Sequence, residues 1–268
     1  MSLEYTQSIS RLVDQQPAKT STLLTSSEQA PNPKFWRSLL HRCYDIIDRV
    51  NSLLPRSMFI AVVQSLLLHP IPSIRRRAME LLSAKLQHQS NFFVLSGGDE
   101  TVLLQLIPLL TAIARGQQQD GGSTEEAALN QQTAFFTLKL LCRLLGPSFC
   151  QTFKPVLEVV VDAISPATSS SSNVLASAFL CLAELVQIMT VHSLPYLPRF
   201  GANLVARLED LHSIENHDLL LLSVVTAVMK LVETLPQFLV PYLPTILKQV
   251  HIYLVLILLS YPNNLLML

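Results

Sequence analysis

The stretch that decides the fold runs from Met58 to Gln87 and reads MFIAVVQSLLLHPIPSIRRRAMELLSAKLQ. Its apolar residues recur at helical spacing in two blocks, which are separated by the sequence HPIP. The first block comprises Phe59, Val62, Val63, Leu66 and Leu67, and the second comprises Ile74, Ala78, Leu81, Leu82 and Leu86. Pro70 and Pro72 cannot continue the first helix, and Pro72 presets the φ angle that the opening turn of a second helix needs. The stretch therefore predicts a helical hairpin.

Each helix of this hairpin has an apolar stripe that a single partner cannot cover, so the hairpin needs similar hairpins beside it. The flanking sequence provides them. One helix is predicted from Phe35 to about Leu54. Further pairs are predicted at Glu100–Arg115 with Glu125–Leu145, at Phe149–Ile164 with Asn173–Met189, and at Leu197–Leu211 with Asp218–Leu235, and a further unit opens at Phe238–Val250. Within them we expect a buried stripe on Ala134, Leu138, Leu141 and Leu145, and an N-cap at Asn173.

One proline recurs early in the first helix of successive units. Pro108, Pro155, Pro198 and Pro244 are separated by 47, 43 and 46 residues. This is the period of HEAT and armadillo arrays, and two helices per unit favour HEAT. The sequence therefore predicts an all-α fold, a HEAT-type α-solenoid of stacked antiparallel helix pairs.

Composition divides the chain into three parts. Residues 1–33 are rich in Ser, Thr and Gln and predict a poorly ordered N-terminal segment, residues 34–250 form the HEAT-repeat array, and residues 251–268 form an atypical apolar C-terminal tail. The tail has no polar outer face of the kind that a capping repeat presents. We therefore expect the chain to be a fragment, or an alternatively ended product, of a longer array.

Charge is distributed unevenly, although the formal net charge is zero. From Lys34 to Lys85 there are nine Lys or Arg residues and three acidic residues. From Asp99 to the end there are eight Lys or Arg residues and thirteen acidic residues. The basic part suits either a phosphate-bearing partner or solvated helix faces. Four single cysteines without a CxxC pair predict core thiols in a reducing compartment. The most apolar run, Ile252–Leu259, has about half the length that a membrane span needs, so no membrane partner is expected.

The arginines at positions 75 to 77 are the candidate contact residues. Their side chains point in directions about 100° apart around a helix, so they cannot all meet one phosphate strand. Arg75 is the candidate for a ladder between repeats, bonding an acid or a loop carbonyl of the neighbouring unit. Arg76 and Arg77, with Lys85, are candidates for contact with an acidic partner or RNA, and Glu80 is an expected intrahelical partner of either arginine.

Catalytic, cofactor and metal sites are not predicted. The histidines are scattered, and His212 and His217 lie five residues apart, on different faces of a helix. The pairs Gly97-Gly98 and Gly121-Gly122 lack the Lys-Ser/Thr or the strand that a phosphate loop needs. We therefore expect no enzyme activity, no cofactor and no small-molecule substrate.

Five segments, taken in order, resemble the C-terminal part of the HEAT repeat-containing protein 1 family, whose yeast members are known as small nucleolar RNA-associated protein ten. They are RCYDIIDRVNSLLP, HPIPSIRRRAMELLSAKLQ, LNQQTAFFTLKLLCRLLG, NVLASAFLCLAELV and VETLPQFLVPYLPTILKQV. TLKLLCRLLG and ETLPQFLVPYL are far more specific than the general HEAT pattern. The similarity covers roughly residues 34–250.

The resemblance implies a non-enzymatic nucleolar scaffold of the small-subunit processome. Such a scaffold supports pre-rRNA transcription by RNA polymerase I and the early cleavages of small-subunit rRNA. Its implied partners are processome proteins, small nucleolar ribonucleoprotein and pre-rRNA, and its implied location is the nucleolus within the nucleus. The alternative is a HEAT adaptor of another class, such as a transport receptor or a phosphatase-type scaffold, because the array by itself suits both.

Overall fold

A computed structural model describes residues 33–88, 99–116, 124–168, 170–210 and 218–260. These residues are helical and contain no β-strand. The α-helices are α1 (Pro33–Leu53), α2 (Arg56–Leu67), α3 (Pro72–His88), α4 (Asp99–Leu104), α5 (Leu106–Arg115), α6 (Thr124–Phe149), α7 (Lys154–Ala163), α8 (Ser172–Met189), α9 (Leu197–Asp210), α10 (Asp218–Thr234) and α11 (Leu243–Ser260). Short 3₁₀ turns occupy Cys150–Phe153, Thr190–Tyr196 and Pro236–Phe238. Residues 1–32 of the predicted N-terminal segment, and His212 and His217, lie outside the described residues.

The predicted central hairpin is confirmed as α2 and α3, which pack against each other. α3 begins at Pro72, as the preset φ angle of proline predicts. Phe59 and Val63 of α2 and Ala78 and Leu82 of α3 are all buried. Removing these side chains from water is what stabilises the hairpin, at about 25 cal/mol for each Å² of apolar surface.

The helices from α2 onward form two layers. The second helices of successive units, α3, α6, α8 and α10, pack one against the next, and the first helices, α2, α5, α7, α9 and α11, do the same in the other layer. The predicted stripe of Ala134, Leu138, Leu141 and Leu145 on α6 is fully buried. The four repeating prolines lie at the second or third position of α5, α7, α9 and α11. The predicted all-α HEAT-type solenoid is therefore confirmed.

The helix predicted over Glu100–Arg115 is interrupted at Gln105, between α4 and α5. Pro108 explains the break, because it has no N–H to donate to the Leu104 carbonyl and its ring crowds that oxygen. The N-cap of α8 was also predicted at the wrong residue. Ser171, not Asn173, has the extended backbone of an N-cap, and its Oγ accepts a hydrogen bond from the Val174 N–H at 3.4 Å.

α1 belongs to a separate compact unit. Its apolar face leaves Phe35, Ile46 and Val50 exposed, and the rings of Phe35 and Trp36 pack edge to face at 5.7 Å. By length and composition alone, the helical runs Thr124–Ala163 and Ser172–Asp210 are apolar enough to cross a membrane. In the second run 67% of the most apolar window is buried inside the structure, which is typical of core helices.

Candidate interaction surfaces

Arg75 holds the turn of the central hairpin. Its Nη1 donates hydrogen bonds to the carbonyl oxygens of His69 at 2.8 Å and Pro70 at 3.0 Å, and the residue is 3% exposed. The Nδ1 of His69 accepts a hydrogen bond from the Ile71 N–H. Burial, and then the neighbouring charge of Arg75, lower the pKa of His69, so its ring stays neutral as an acceptor. These bonds lie within one hairpin, and the ladder between repeats through Arg75 stays a prediction.

Arg76 and Arg77 share one partner on their own helix. Arg77 Nη1 lies 3.2 Å from Glu80 Oε2, and Arg76 Nε lies 3.9 Å from Glu80 Oε1. The predicted intrahelical pairing with Glu80 is therefore confirmed for both arginines. Their side chains are 28% and 26% exposed, so each retains a limited solvent-facing edge.

Lys85 is buried, contrary to the expectation that it is available for a partner. The residue is only 8% exposed, and its Nζ lies 5.4 Å from the centre of the Phe59 ring. Burial lowers the pKa of Lys85, while the face of the aromatic ring attracts the ammonium group. This side chain packs into the hairpin and is not part of the proposed contact surface.

Contacts between repeats are made by a stripe on α9 that the sequence reasoning missed. Arg207 donates from Nε to the Ile164 carbonyl at 3.2 Å, and from Nη2 to the carbonyls of Ser165 at 2.6 Å and Thr168 at 3.1 Å. One turn earlier, Asn203 Nδ2 donates to the carbonyl oxygen at the end of α7, on Val161, at 3.1 Å. Another turn earlier, Arg199 Nη2 lies 2.6 Å from Asp162 Oδ1.

The signal for this stripe was present in the sequence. Positions 199, 203 and 207 are four residues apart, so their polar side chains share one face of an amphipathic helix. That face meets the C-terminal end of α7, where carbonyl groups have no partner within the helix. A cation there also interacts favourably with the helix dipole.

A second surface lies on the layer of second helices and is centred on α8. Arg143 of α6 donates from Nε to Glu184 Oε1 at 3.0 Å and from Nη2 to Glu184 Oε2 at 2.7 Å. Glu184 is buried on α8, whereas the Arg143 side chain is 61% exposed. This hydrogen-bonded contact with Glu184 raises the pKa of Arg143, more than burial lowers it. The two-pronged geometry is the kind that only a guanidinium makes with a carboxylate.

The buried cysteines lie beside this pair. Cys142 of α6 and Cys181 of α8 are fully buried, whereas Cys43 and Cys150 are half-buried, and all four thiols are free. Burial raises the pKa of both buried thiols above its usual range. They therefore remain protonated at neutral pH and act as small core side chains. In the described part of the chain, no group of three or more His, Cys, Asp or Glu residues is placed to hold a metal ion.

These surfaces place the protein in the class of HEAT-repeat solenoids, which offer long helical faces to partners. No family model matches the chain. It is similar to HEAT repeat-containing protein 1 of Homo sapiens, with 41% identity over 217 residues, covering 81% of this chain and 10% of that protein. It is similar to the protein of the same name from Danio rerio, with 37% identity over 250 residues, covering 92% of this chain and 11% of that protein.

A more distant relative is the U3 small nucleolar RNA-associated protein 10 of Pyricularia oryzae, which is 27% identical over 182 residues, 66% of this chain and 9% of that protein. The chain belongs to the HEAT repeat-containing protein 1 family. It spans about a tenth of the length of the curated relatives that it matches.

Proposed function

We propose that this chain is a non-enzymatic scaffold segment in ribosome biogenesis. In this proposal it acts in the nucleolar small-subunit processome, where it supports pre-rRNA transcription by RNA polymerase I and small-subunit rRNA processing. The observation that carries the proposal is the 41% identity to human HEAT repeat-containing protein 1 across 81% of the chain. The name of the fungal relative, which refers to U3 small nucleolar RNA, also supports a role in ribosome biogenesis.

The architecture suits a scaffold that binds partners without catalysing a reaction. Stacked helix pairs expose long faces on which several partners can be held at once. A HEAT adaptor of another class would have the same architecture, so the choice between the two rests on sequence similarity. The partners in this proposal are processome proteins and small nucleolar ribonucleoprotein, with contact to pre-rRNA.

Arg76 and Arg77 are the contact residues that we propose for an acidic partner or RNA. α3 has no acidic residue in its first turn, so the positive end of the helix dipole is not offset there. Two arginines in the next turn add to this positive potential. Their shared contact with Glu80 is partly exposed and weak, so an incoming phosphate or carboxylate can compete for them.

The scaffold proposal is tested with the full chain carrying an affinity tag in cultured animal cells. We expect the tagged chain to concentrate in nucleoli, to sediment with pre-ribosomal particles and to copurify U3 small nucleolar RNA. Nuclease treatment before purification separates contacts that depend on RNA from direct protein contacts. A chain that stays in the cytoplasm and sediments as free protein would favour the adaptor of another class.

The contact residues are tested by reversing charge at Arg76→Glu and Arg77→Glu together. We expect weaker recovery of processome components with unchanged helical circular dichroism. Lys154→Glu with Lys248→Glu is the matched control, because it makes the same total charge change on exposed residues of α7 and α11. Loss of helical signal in the Arg76/Arg77 variant would show instead that the two arginines are structural.

A further inference from the structure

The surface around Glu184 is a groove, which we call the α8 groove. It is lined by Lys139, Arg143, Leu180, Ala183, Glu184, Gln187, Ile188, Thr226 and Lys230. Residues of α8 form its floor, and α6 and α10 contribute one wall each. The groove is open to solvent and has a volume of about 470 Å³.

The charge of the α8 groove is opposite to that of the sequence around it. From Asp99 onward the chain has eight bases and thirteen acids, yet the groove contains three of those bases and one of those acids. The single acid, Glu184, already accepts both hydrogen bonds from Arg143. The lining therefore has a local positive excess in an acidic region, so it attracts negative charge.

The three cations remain able to meet an anion. Arg143 donates to Glu184 through Nε and Nη2. Its Nη1 takes no part in these two hydrogen bonds, and the side chain is exposed. Lys139 has no ion pair with any residue that the structure describes. Among the residues that the structure describes, Lys230 pairs with Glu233, three residues along α10, and this exposed ion pair is weak.

The floor of the α8 groove distinguishes a peptide from a nucleic acid. Leu180, Ala183 and Ile188 are aliphatic, and the described lining contains no aromatic ring. Single-stranded nucleic acids gain much of their affinity by stacking bases on aromatic side chains, and this groove has none. An aliphatic floor between basic walls instead suits a chain in which aliphatic and carboxylate side chains alternate.

From this geometry we propose that the α8 groove is a docking site for an acidic, aliphatic segment of a partner protein. Carboxylates of the segment contact Lys139, Lys230 and the free edge of Arg143, while its aliphatic side chains cover Leu180 and Ile188. The groove is lined by α6, α8 and α10, and neither Arg76 nor Arg77 of α3 is among its lining residues. Docking here therefore uses none of the contact residues proposed above.

The test uses the full chain and a fluorescent short peptide in which Glu and Leu alternate. Two further probes are the same peptide with Gln in place of Glu, and an oligouridylate of similar length. Fluorescence anisotropy is measured at low and at physiological salt. We expect only the Glu peptide to bind well, with an affinity that weakens as salt rises, because exposed charge contacts are screened.

The decisive variant is Lys139→Glu with Lys230→Glu, for which we expect at least about a tenfold loss of affinity for the Glu peptide. The matched control, Lys154→Glu with Lys248→Glu, makes the same charge change on exposed residues of α7 and α11 and should stay within about twofold. Lys139→Gln with Lys230→Gln serves as a milder second pair, should charge reversal lower the melting temperature.

Three results would overturn the proposal. They are a dissociation constant for the Glu peptide weaker than about 1 mM, equal or tighter binding of the oligouridylate, and an equal loss in the control variant. The nucleolar location of the chain would not be affected by any of them, so failure here is distinguishable from failure of the proposed function.

Discussion

The Arg143 guanidinium on α6 and the Glu184 carboxylate on α8 form a two-pronged ion pair, with bonds of 3.0 and 2.7 Å, between residues 41 positions apart. It joins the second helices of two neighbouring repeats. Because Glu184 is buried and Arg143 is exposed, replacing one residue changes the free energy of unfolding by a different amount from replacing the other. Removal of the arginine leaves a buried carboxylate without its cation.

We expect Arg143→Ala to lower the free energy of unfolding by about 1 to 3 kcal/mol, since the exposure of Arg143 to solvent limits the effect of losing the buried pair. Lys230→Ala, which breaks only an exposed pair within α10, should change it by less than about 0.5 kcal/mol. Urea unfolding followed by circular dichroism measures both values. Equal effects would mean that the buried pair contributes no more than a surface contact.

Arg207→Ala should destabilise the array by about 1 to 3 kcal/mol, because three carbonyl groups beyond the end of α7 each lose a hydrogen bond, although Ser165 keeps the one from the Thr168 N–H. Arg207→Lys should recover only part of the loss, since one ammonium cannot span the three oxygens as the guanidinium does. The comparison is made by thermal and urea unfolding. Full recovery by lysine would indicate that charge at the helix end, rather than the hydrogen-bond geometry, is what matters.

Gly146→Ala should destabilise the protein by about 1 to 3 kcal/mol, even though alanine is the better helix former. A Cβ at this position of α6 would collide with Cγ2 of Ile188 and lie 3.3 Å from Sγ of Cys142. Ile188 is β-branched, so either its side chain leaves the preferred rotamer or α8 shifts to admit the new methyl group. A double variant with Ile188→Ala makes room for the new methyl group and should be less destabilised than the sum of the two single changes.

Cys142 and Cys181 should resist alkylation by iodoacetamide in the folded protein, whereas Cys43 and Cys150 should react. Burial both blocks access to the two core thiols and raises their pKa, so the reactive thiolate is scarce. Peptide mapping by mass spectrometry, with and without denaturant, identifies the modified residues. Native labelling of Cys181 at the rate of Cys150 would contradict the packing between α6 and α8.

The sequence by itself determined the helices and their order. Helical periodicity and proline position act within one or two turns, so the hairpin around Pro72 and the buried stripe that includes Leu138 were predictable. The break at Gln105 was missed, although its cause, Pro108, is also local.

Only the tertiary structure decided which side chains meet across repeats. Arg143 contacts Glu184, and Arg207 contacts the carbonyl groups that follow α7, because stacking of the repeats brings together residues about forty positions apart. The same stacking buries Lys85 against Phe59 and leaves Lys139 and Lys230 on the α8 groove. These five basic residues look alike in the sequence, because their roles depend on neighbours that only helix packing supplies.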